Sequence, residues 1–166
     1  PAGTGYDNIH LPAGTFTFSL AGNESSGLAG DLDILESLSI EGSGAGMTTI
    51  DANGLDRVLE ILNNSQVHIS RLSLTGGDPG ISSGGGIRLI GSLTLDRARI
   101  WNNLNGSGIY AINGSTLTVD RSRIESNVGG GLFLQANVTT TIRSSTLSNN
   151  TGANSGAAIS NSGILN

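Results

Sequence analysis

An internal repeat in the second half of the chain most strongly limits what it can fold into. Three segments superimpose without gaps and each is followed by asparagine: Leu93–Ile100, Leu117–Ile124 and Thr140–Leu147. An earlier copy, Val67–Leu74, is followed by two glycines. Self-similarity at a period of about 20 to 50 residues is typical of solenoids, propellers and other repeat arrays.

A second recurring element precedes each of these segments. Its members are Gly86–Leu89, Gly108–Ala111, Gly131–Leu134 and Ala158–Asn161. In both elements apolar and polar residues alternate with period two, which is the spacing of a β-strand. Each repeat therefore predicts three short strands joined by corners rich in Gly, Asn and Ser.

Repeats this short predict a coil. They leave no room for the helix of a βαβ unit or for a WD40-type blade of about 40 residues. The alternative is one turn of a parallel β-solenoid per repeat, stacked on the next at about 4.8 Å. Parallel β-crossovers are strongly right-handed. The sequence thus predicts an all-β, right-handed parallel β-helix of about six to seven coils, each of roughly 22–29 residues with three short strands.

The same alignment predicts the core and the domain organisation. Ile69, Leu95, Val119 and Ile142 should stack as one buried column, and Leu74, Ile100, Ile124 and Leu147 as another. We expect one solenoid domain over residues 1–166, with irregular opening coils at 1–57 and regular repeats at 58–166. The pattern is still running at the last residue, so we expect a piece of a longer β-helix.

Charge and cysteine content exclude several kinds of function. The chain has eight basic residues, all arginine, against 13 acidic ones, for a net charge of −5. This balance argues against nucleic acid or an anionic membrane surface as a partner. Without cysteine there is no disulfide, thiolate nucleophile or cysteine metal site. No apolar run approaches the roughly 20 residues of a membrane span.

Several blocks resemble a known group of proteins. In order, they are Ile9–Phe18, Gly30–Ile34, Ile40–Gly46 with Thr49–Gly54, and Ile69–Gly77. They resemble the opening coils of bacterial CSLREA-type repeat proteins, and the later coils also resemble polymorphic outer-membrane-protein repeats. The resemblance implies a large bacterial β-helix, secreted or displayed on the cell surface, from a group mostly without an assigned activity.

Catalysis is a candidate function because pectate-lyase-like enzymes share this fold. Such a lyase needs a basic side chain near acidic residues. Arg97 and Arg121 fall in equivalent positions of adjacent coils, beside Asp96 and Asp120, and so do Arg99 and Arg123. A stacked Asp–Arg row of this kind is typical of solvated ion pairs. We therefore predict no catalytic residues, and expect a non-catalytic extracellular or cell-surface structural or adhesive module. The alternative is a carbohydrate-active enzyme whose active site lies outside this segment.

Two acidic residues are the candidates for a metal site. Asp31 and Asp33 are two positions apart on a predicted strand, hence on the same side, and they could bind calcium with Glu24 or Asp51. Capping of a turn or strand end is the alternative use of these carboxylates. No other cofactor is expected.

The asparagines that follow the repeats predict a structural ladder. Inward-facing Asn at a solenoid corner can donate and accept amide hydrogen bonds to the next coil. The candidate residues are Asn102, Asn103, Asn127, Asn149 and Asn150.

An outward column on the Gly-Ile/Leu strand is the candidate contact surface. It consists of Glu60, Arg88, Tyr110, Phe133 and Ser160. Arg88, Tyr110 and Phe133 could contact a glycan or a copy of the same chain, since exposed aromatic faces bind sugar rings and proteins. Trp101 also faces outward, on a different face. The alternative is that the two rings only stack on each other. Self-association through the ends of the solenoid is a further possibility.

Overall fold

The chain is built from short parallel strands. The computed structural model describes residues 6–22, 30–62, 64–80, 84–152 and 157–165, and these form 19 strands and no helix. In chain order the strands are β1 Asp7–His10, β2 Gly14–Thr17, β3 Leu32–Ile34, β4 Leu38–Glu41, β5 Thr48–Asp51, β6 Leu59–Ile61, β7 Gln66–Ser70, β8 Ser73–Thr75, β9 Ile87–Leu89, β10 Ser92–Asp96, β11 Arg99–Trp101, β12 Ile109–Ala111, β13 Thr116–Asp120, β14 Arg123–Glu125, β15 Leu132–Leu134, β16 Thr139–Arg143, β17 Thr146–Ser148, β18 Ile159–Asn161 and β19 Ile164–Leu165.

Every third strand joins the same sheet, so the chain coils. The first sheet has the order β1-β4-β7-β10-β13-β16-β19. The second sheet runs β2-β5-β8-β11-β14-β17, and the third runs β3-β6-β9-β12-β15-β18. All pairings are parallel. Six groups of three strands followed by β19 form a parallel β-solenoid, as the repeats predicted.

The inward columns pair in the predicted register. Leu95 lies between Ile69 and Val119 in the first sheet, and Ile100 lies between Leu74 and Ile124 in the second. These six side chains are fully buried. The columns continue to Ile142 and Leu147, which are partly buried against the same core. Burial of these apolar columns is the main favourable contribution to folding.

The three corners of each turn use left-handed backbone at different residue types. Where the second sheet leads into the third, the left-handed residues are Asn53, Asn102, Ser126 and Asn149. Where the third leads back into the first, they include Asn64 and Asn137. Between the first and second sheets they are Arg71, Arg97, Arg121 and Ser144. Asparagine tolerates this conformation better than most residues, so the two Asn-rich corners follow from local preference and the arginine corner does not.

A buried amide ladder runs along the corner between the second and third sheets. Asn103 Nδ2 donates to Asn127 Oδ1 at 2.8 Å, and Asn127 Nδ2 donates to Asn150 Oδ1 at 3.0 Å. Asn103 and Asn127 are fully buried. At the preceding turn the backbone N–H of Gly77 donates to Asn103 Oδ1 at 2.9 Å. A glycine N–H is therefore the donor there, in place of an asparagine side-chain amide.

The prediction is wrong for Asn102 and Asn149, which are not part of the ladder. Both have φ of 55° and both are exposed. A left-handed residue turns the chain at this point, which directs its own side chain outward and that of the following residue inward. The first asparagine of each pair therefore makes the corner, and the second joins the ladder.

Candidate binding surfaces and the buried charge cluster

The outer column of the third sheet contains a stacked aromatic pair. Tyr110 lies opposite Phe133 in the register of β12 and β15. Their ring centroids are 5.1 Å apart with an interplanar angle of 24°. Gln135 Nε2 donates a hydrogen bond to the Tyr110 hydroxyl, and both rings are half-buried. The rings thus pack on each other while part of their surface faces solvent.

The two charged members of this column behave differently from the prediction. Glu60 lies opposite Arg88 as expected, but it is only 1% exposed, so the column is covered at this turn. Arg88 Nη1 forms an ion pair with Glu60 Oε1, so the charge of Arg88 is already compensated within the chain. Burial, followed by the nearby charge of Arg57, lowers the pKa of Arg88. The exposed part of the predicted patch is therefore mainly aromatic.

Glu60 belongs to a buried charge cluster, which also contains Asp31, Asp33, Asp56 and Arg57. Arg57 Nη1 donates to Asp31 Oδ2 at 3.1 Å and to Glu60 Oε2 at 3.2 Å. The backbone N–H of Arg57 donates to Asp56 Oδ1 at 2.7 Å. Arg57 is 6% exposed and Asp31 is 3% exposed. Buried charges need partners and hydrogen bonds, and the guanidinium supplies both.

The cluster contains both residues predicted for calcium. Asp31, Asp33 and Glu60 each place a carboxylate oxygen within 4.8 Å of the others, which suits a shared cation. However, Arg57 Nη1 already bonds to two of these carboxylates. Of the further ligands considered, Glu24 lies outside the described residues. Asp51 is in the second sheet, where its Oδ1 accepts from the Asn53 N–H at 2.8 Å.

Trp101 lies on the second sheet, away from Tyr110. Its in-register neighbour is Glu125. The guanidinium carbon of Arg99 is 4.1 Å from the ring centroid, and Arg99 Nε donates to Glu125 Oε1 at 2.6 Å. A cation this close to an indole face is favourable. Arg99 therefore packs over the half-buried ring.

Comparison with known proteins decides the family. A family model for the right-handed β-helix region matches residues 34–166. The chain belongs to the right-handed β-helix family. No curated protein and no solved structure matched the chain. The described part of this β-helix has no helix that could cross a membrane.

Sequence reasoning missed the role of Arg57 and Glu60 in the β-helix. The available signal was the opposite charge of Glu60 and Arg88 at neighbouring positions of one column, with Arg57 three residues before Glu60. Strand alternation placed Glu60 outward, but alternation does not report what packs over an outward position.

We expect EDTA to leave the melting temperature of the β-helix unchanged. Arg57 and Arg88 already supply positive charge to the acidic cluster, so its folding should not depend on calcium. Thermal melts with EDTA and with added calcium measure this directly. A drop of several degrees that calcium reverses would contradict the prediction.

Replacing Asp31 by asparagine should change how stability depends on pH. Burial raises the pKa of Asp31 from 3.8 to about 6, an effect that Arg57 opposes and that Asp56 and Asp33 reinforce. A carboxyl group whose folded pKa is raised binds more protons in the folded state. Its contribution to stability is present below about pH 4 and is lost as pH rises through about 6. Over that range the loss is at most about 3 kcal/mol.

The measurement is the difference in melting temperature between Asp31→Asn and the unmodified chain from pH 4 to pH 8. We expect the variant to gain relative to the unmodified chain as pH rises. An Asp7→Asn variant, at an exposed position of β1, controls for loss of one charge. A difference that is constant across this range would show that Asp31 is ionised throughout.

Proposed function

We propose that this β-helix is a non-catalytic structural and adhesive module of a bacterial protein, secreted or displayed at the cell surface. Its partners are glycans or further copies of itself, and Tyr110 and Phe133 are the contact residues. The observation that carries the proposal is this stacked aromatic pair, half-exposed on the outer face of a regular rod. Aromatic rings in such positions bind sugar faces and other proteins.

The charged residues considered for catalysis support a structural use. Asp96 Oδ2 accepts from Arg97 at 2.9 Å, and Asp96 Oδ1 accepts from Arg121 at 2.6 Å. Arg121 also lies 3.0 Å from Asp120. These acidic and basic side chains therefore pair with one another along the corner and form a row of surface ion pairs.

The first turn supports self-association. Ile9, Phe16 and Leu32 belong to the inward columns, opposite Ile40, Ile50 and Leu59. They are 42%, 38% and 42% exposed. A further coil stacked there, from a second copy or from chain outside residues 1–166, would bury this apolar surface.

The test of the aromatic contact is the double variant Tyr110→Ser/Phe133→Ser. We expect it to lose binding on a glycan array, or concentration-dependent association in sedimentation velocity, while circular dichroism shows an intact fold. The matched control is Leu104→Ser/Val128→Ser, which removes exposed apolar side chains from two adjacent turns at another corner. A large fall in stability without any change in binding would reduce the aromatic pair to a packing feature. Equal loss in the control would point to general apolar surface instead.

A further inference from the structure

Three asparagine–glycine pairs lie at exposed or partly exposed corners of the β-helix: Asn53–Gly54, Asn105–Gly106 and Asn113–Gly114. Such a pair can lose ammonia, because the backbone nitrogen of the glycine can attack the side-chain carbonyl carbon of the asparagine. Glycine permits this approach since it has no Cβ beside that nitrogen. The three pairs share this local chemistry, so any difference between them comes from how the fold holds each backbone nitrogen and each side-chain amide.

At residues 113 and 114 the glycine nitrogen is accessible. The Ser115 N–H donates to the Ile112 carbonyl at 3.0 Å, so Asn113 and Gly114 are the central residues of a β-turn. Both are exposed, and a Cβ at Gly114 would meet no atom within 4 Å. Among the described residues, none accepts a hydrogen bond from the Gly114 N–H. The attacking nitrogen is therefore free to lose its proton to solvent and to turn toward the side chain.

The side-chain amide of Asn113 is held in a way that favours attack. Asn137 Nδ2 donates to Asn113 Oδ1 at 3.2 Å. A donor at this oxygen stabilises the negative charge that the oxygen gains when its carbonyl carbon is attacked. The Asn113 backbone N–H donates to Gln135 Oε1 at 3.1 Å, which ties the turn to the next coil. The contact from Asn137 thus engages the carbonyl oxygen rather than Nδ2, the group that leaves as ammonia.

The fold protects the pair at residues 53 and 54 through its glycine nitrogen. The turn is of the same kind, since the Leu55 N–H donates to the Ala52 carbonyl at 3.0 Å. Here, however, the Gly54 N–H donates to the Gly76 carbonyl of the next turn at 2.7 Å. Attack by this nitrogen would first have to break that hydrogen bond, which lowers its rate.

The pair at residues 105 and 106 is protected at the amide. Asn105 Nδ2 donates to Asp78 Oδ1 at 2.6 Å. The carboxylate holds the nitrogen that would leave, and it adds negative charge where the attack would build up more. Gly106 also packs against Gly129 of the next turn so closely that Gly129 has no room for a Cβ. Both the amide and the backbone beside it are therefore held in place.

We propose that Asn113 is a deamidation site, at which asparagine is converted to aspartate and isoaspartate with water as the only co-reactant. The Gly114 nitrogen loses its proton to solvent and forms a bond to Asn113 Cγ. The Cγ–Nδ2 bond breaks, and the departing nitrogen takes up a proton and leaves as ammonia. Water then opens the resulting succinimide ring at either carbonyl, and nothing is oxidised or reduced.

The modification changes an exposed corner between the third and first sheets, where β12 leads into β13. Each event adds one negative charge there, and the isoaspartate product also lengthens the backbone of the turn by one carbon atom. The site is independent of the contact proposed at Tyr110 and Phe133, so the two proposals fail separately.

The experiment follows deamidation at each pair by peptide mapping with mass spectrometry, during incubation of the folded chain in warm, mildly alkaline buffer. We expect Asn113 to deamidate at least about tenfold faster than Asn53 and Asn105, a ratio that corresponds to about the cost of one hydrogen bond. The same measurement in denaturing urea removes the fold. There the three pairs should react at similar rates.

Two serine variants give a second readout. Protein isoaspartate methyltransferase attaches a methyl group to isoaspartate, so it labels chains that have been modified. Asn113→Ser should remove most of that label from the incubated folded chain. The matched control is Asn53→Ser, which should leave the label unchanged. The control should fold, because Ser126 takes the equivalent left-handed position at the same corner.

Three results would overturn the proposal. Asn113 could react no faster than Asn53 and Asn105 in the folded chain. It could lead by the same ratio in urea, which would make its neighbours in sequence the cause rather than the fold. Finally, Asn113→Ser could leave the methyltransferase label intact.

Discussion

Replacing Ile124 by aspartate should cost the β-helix about 4 kcal/mol of unfolding free energy or prevent it from folding. Ile124 is fully buried, between Ile100 and Leu147 in its column. A carboxylate at this position would lie among the apolar side chains of the core. It would therefore remain uncompensated or take up a proton at further cost.

The measurement is urea-induced unfolding followed by circular dichroism. Thr116→Asp is the matched control, because Thr116 is an exposed residue of β13 in the same turn. We expect the control to stay within about 0.5 kcal/mol of the unmodified chain. Equal stability of the two variants would contradict the register of the second sheet.

Replacing Asn127 by alanine should cost about 3 to 5 kcal/mol. Its Oδ1 accepts from Asn103 Nδ2 at 2.8 Å, and its Nδ2 donates to Asn150 Oδ1 at 3.0 Å and to the Ile100 carbonyl at 3.1 Å. Alanine removes these three bonds and a fourth, which Oδ1 accepts from the Asn103 backbone N–H at 3.3 Å. Their partners are left without the amide, although they stay buried. Each orphaned group costs about 1 to 3 kcal/mol.

Asn149→Gly is the control that separates ladder from corner. Asn149 was predicted for the same ladder, but it is exposed in left-handed backbone, which glycine also accepts. Chemical unfolding should therefore show a large loss for Asn127→Ala and only a small change for Asn149→Gly. Similar losses in both would mean that the two asparagines share one role.

The repeat predicted most of the fold. Alternation with period two identifies Leu95 and Val119 as inward, and a gap-free alignment puts them in adjacent turns. Both properties are local or repetitive, so they can be read without the coordinates, and the register of β10 and β13 confirms them. The stacking of Tyr110 on Phe133 also follows, because in-register neighbours on parallel strands are close enough for ring contact.

The ladder was only partly predictable. Consecutive asparagines at 102 and 103 give no direct sign of which one faces inward. The alignment does contain a signal, because the middle repeat has Ser126 before Asn127, so only the second position is always asparagine. The reason is conformational, since the residue that takes the left-handed angles cannot also point into the core.

By itself, the sequence determined the coil, the inward columns and the stacked Asp–Arg row, because each depends on residue type repeated at a fixed spacing. Tertiary structure alone decided that Glu60 is buried and that Asp31 and Arg57 lie against it. Asp31 and Arg57 are 26 residues apart in an irregular part of the chain, where no repeat relates one position to the next. Charges there are brought together by packing over the sheet, and a strand pattern encodes only which side a residue faces, not what covers that side.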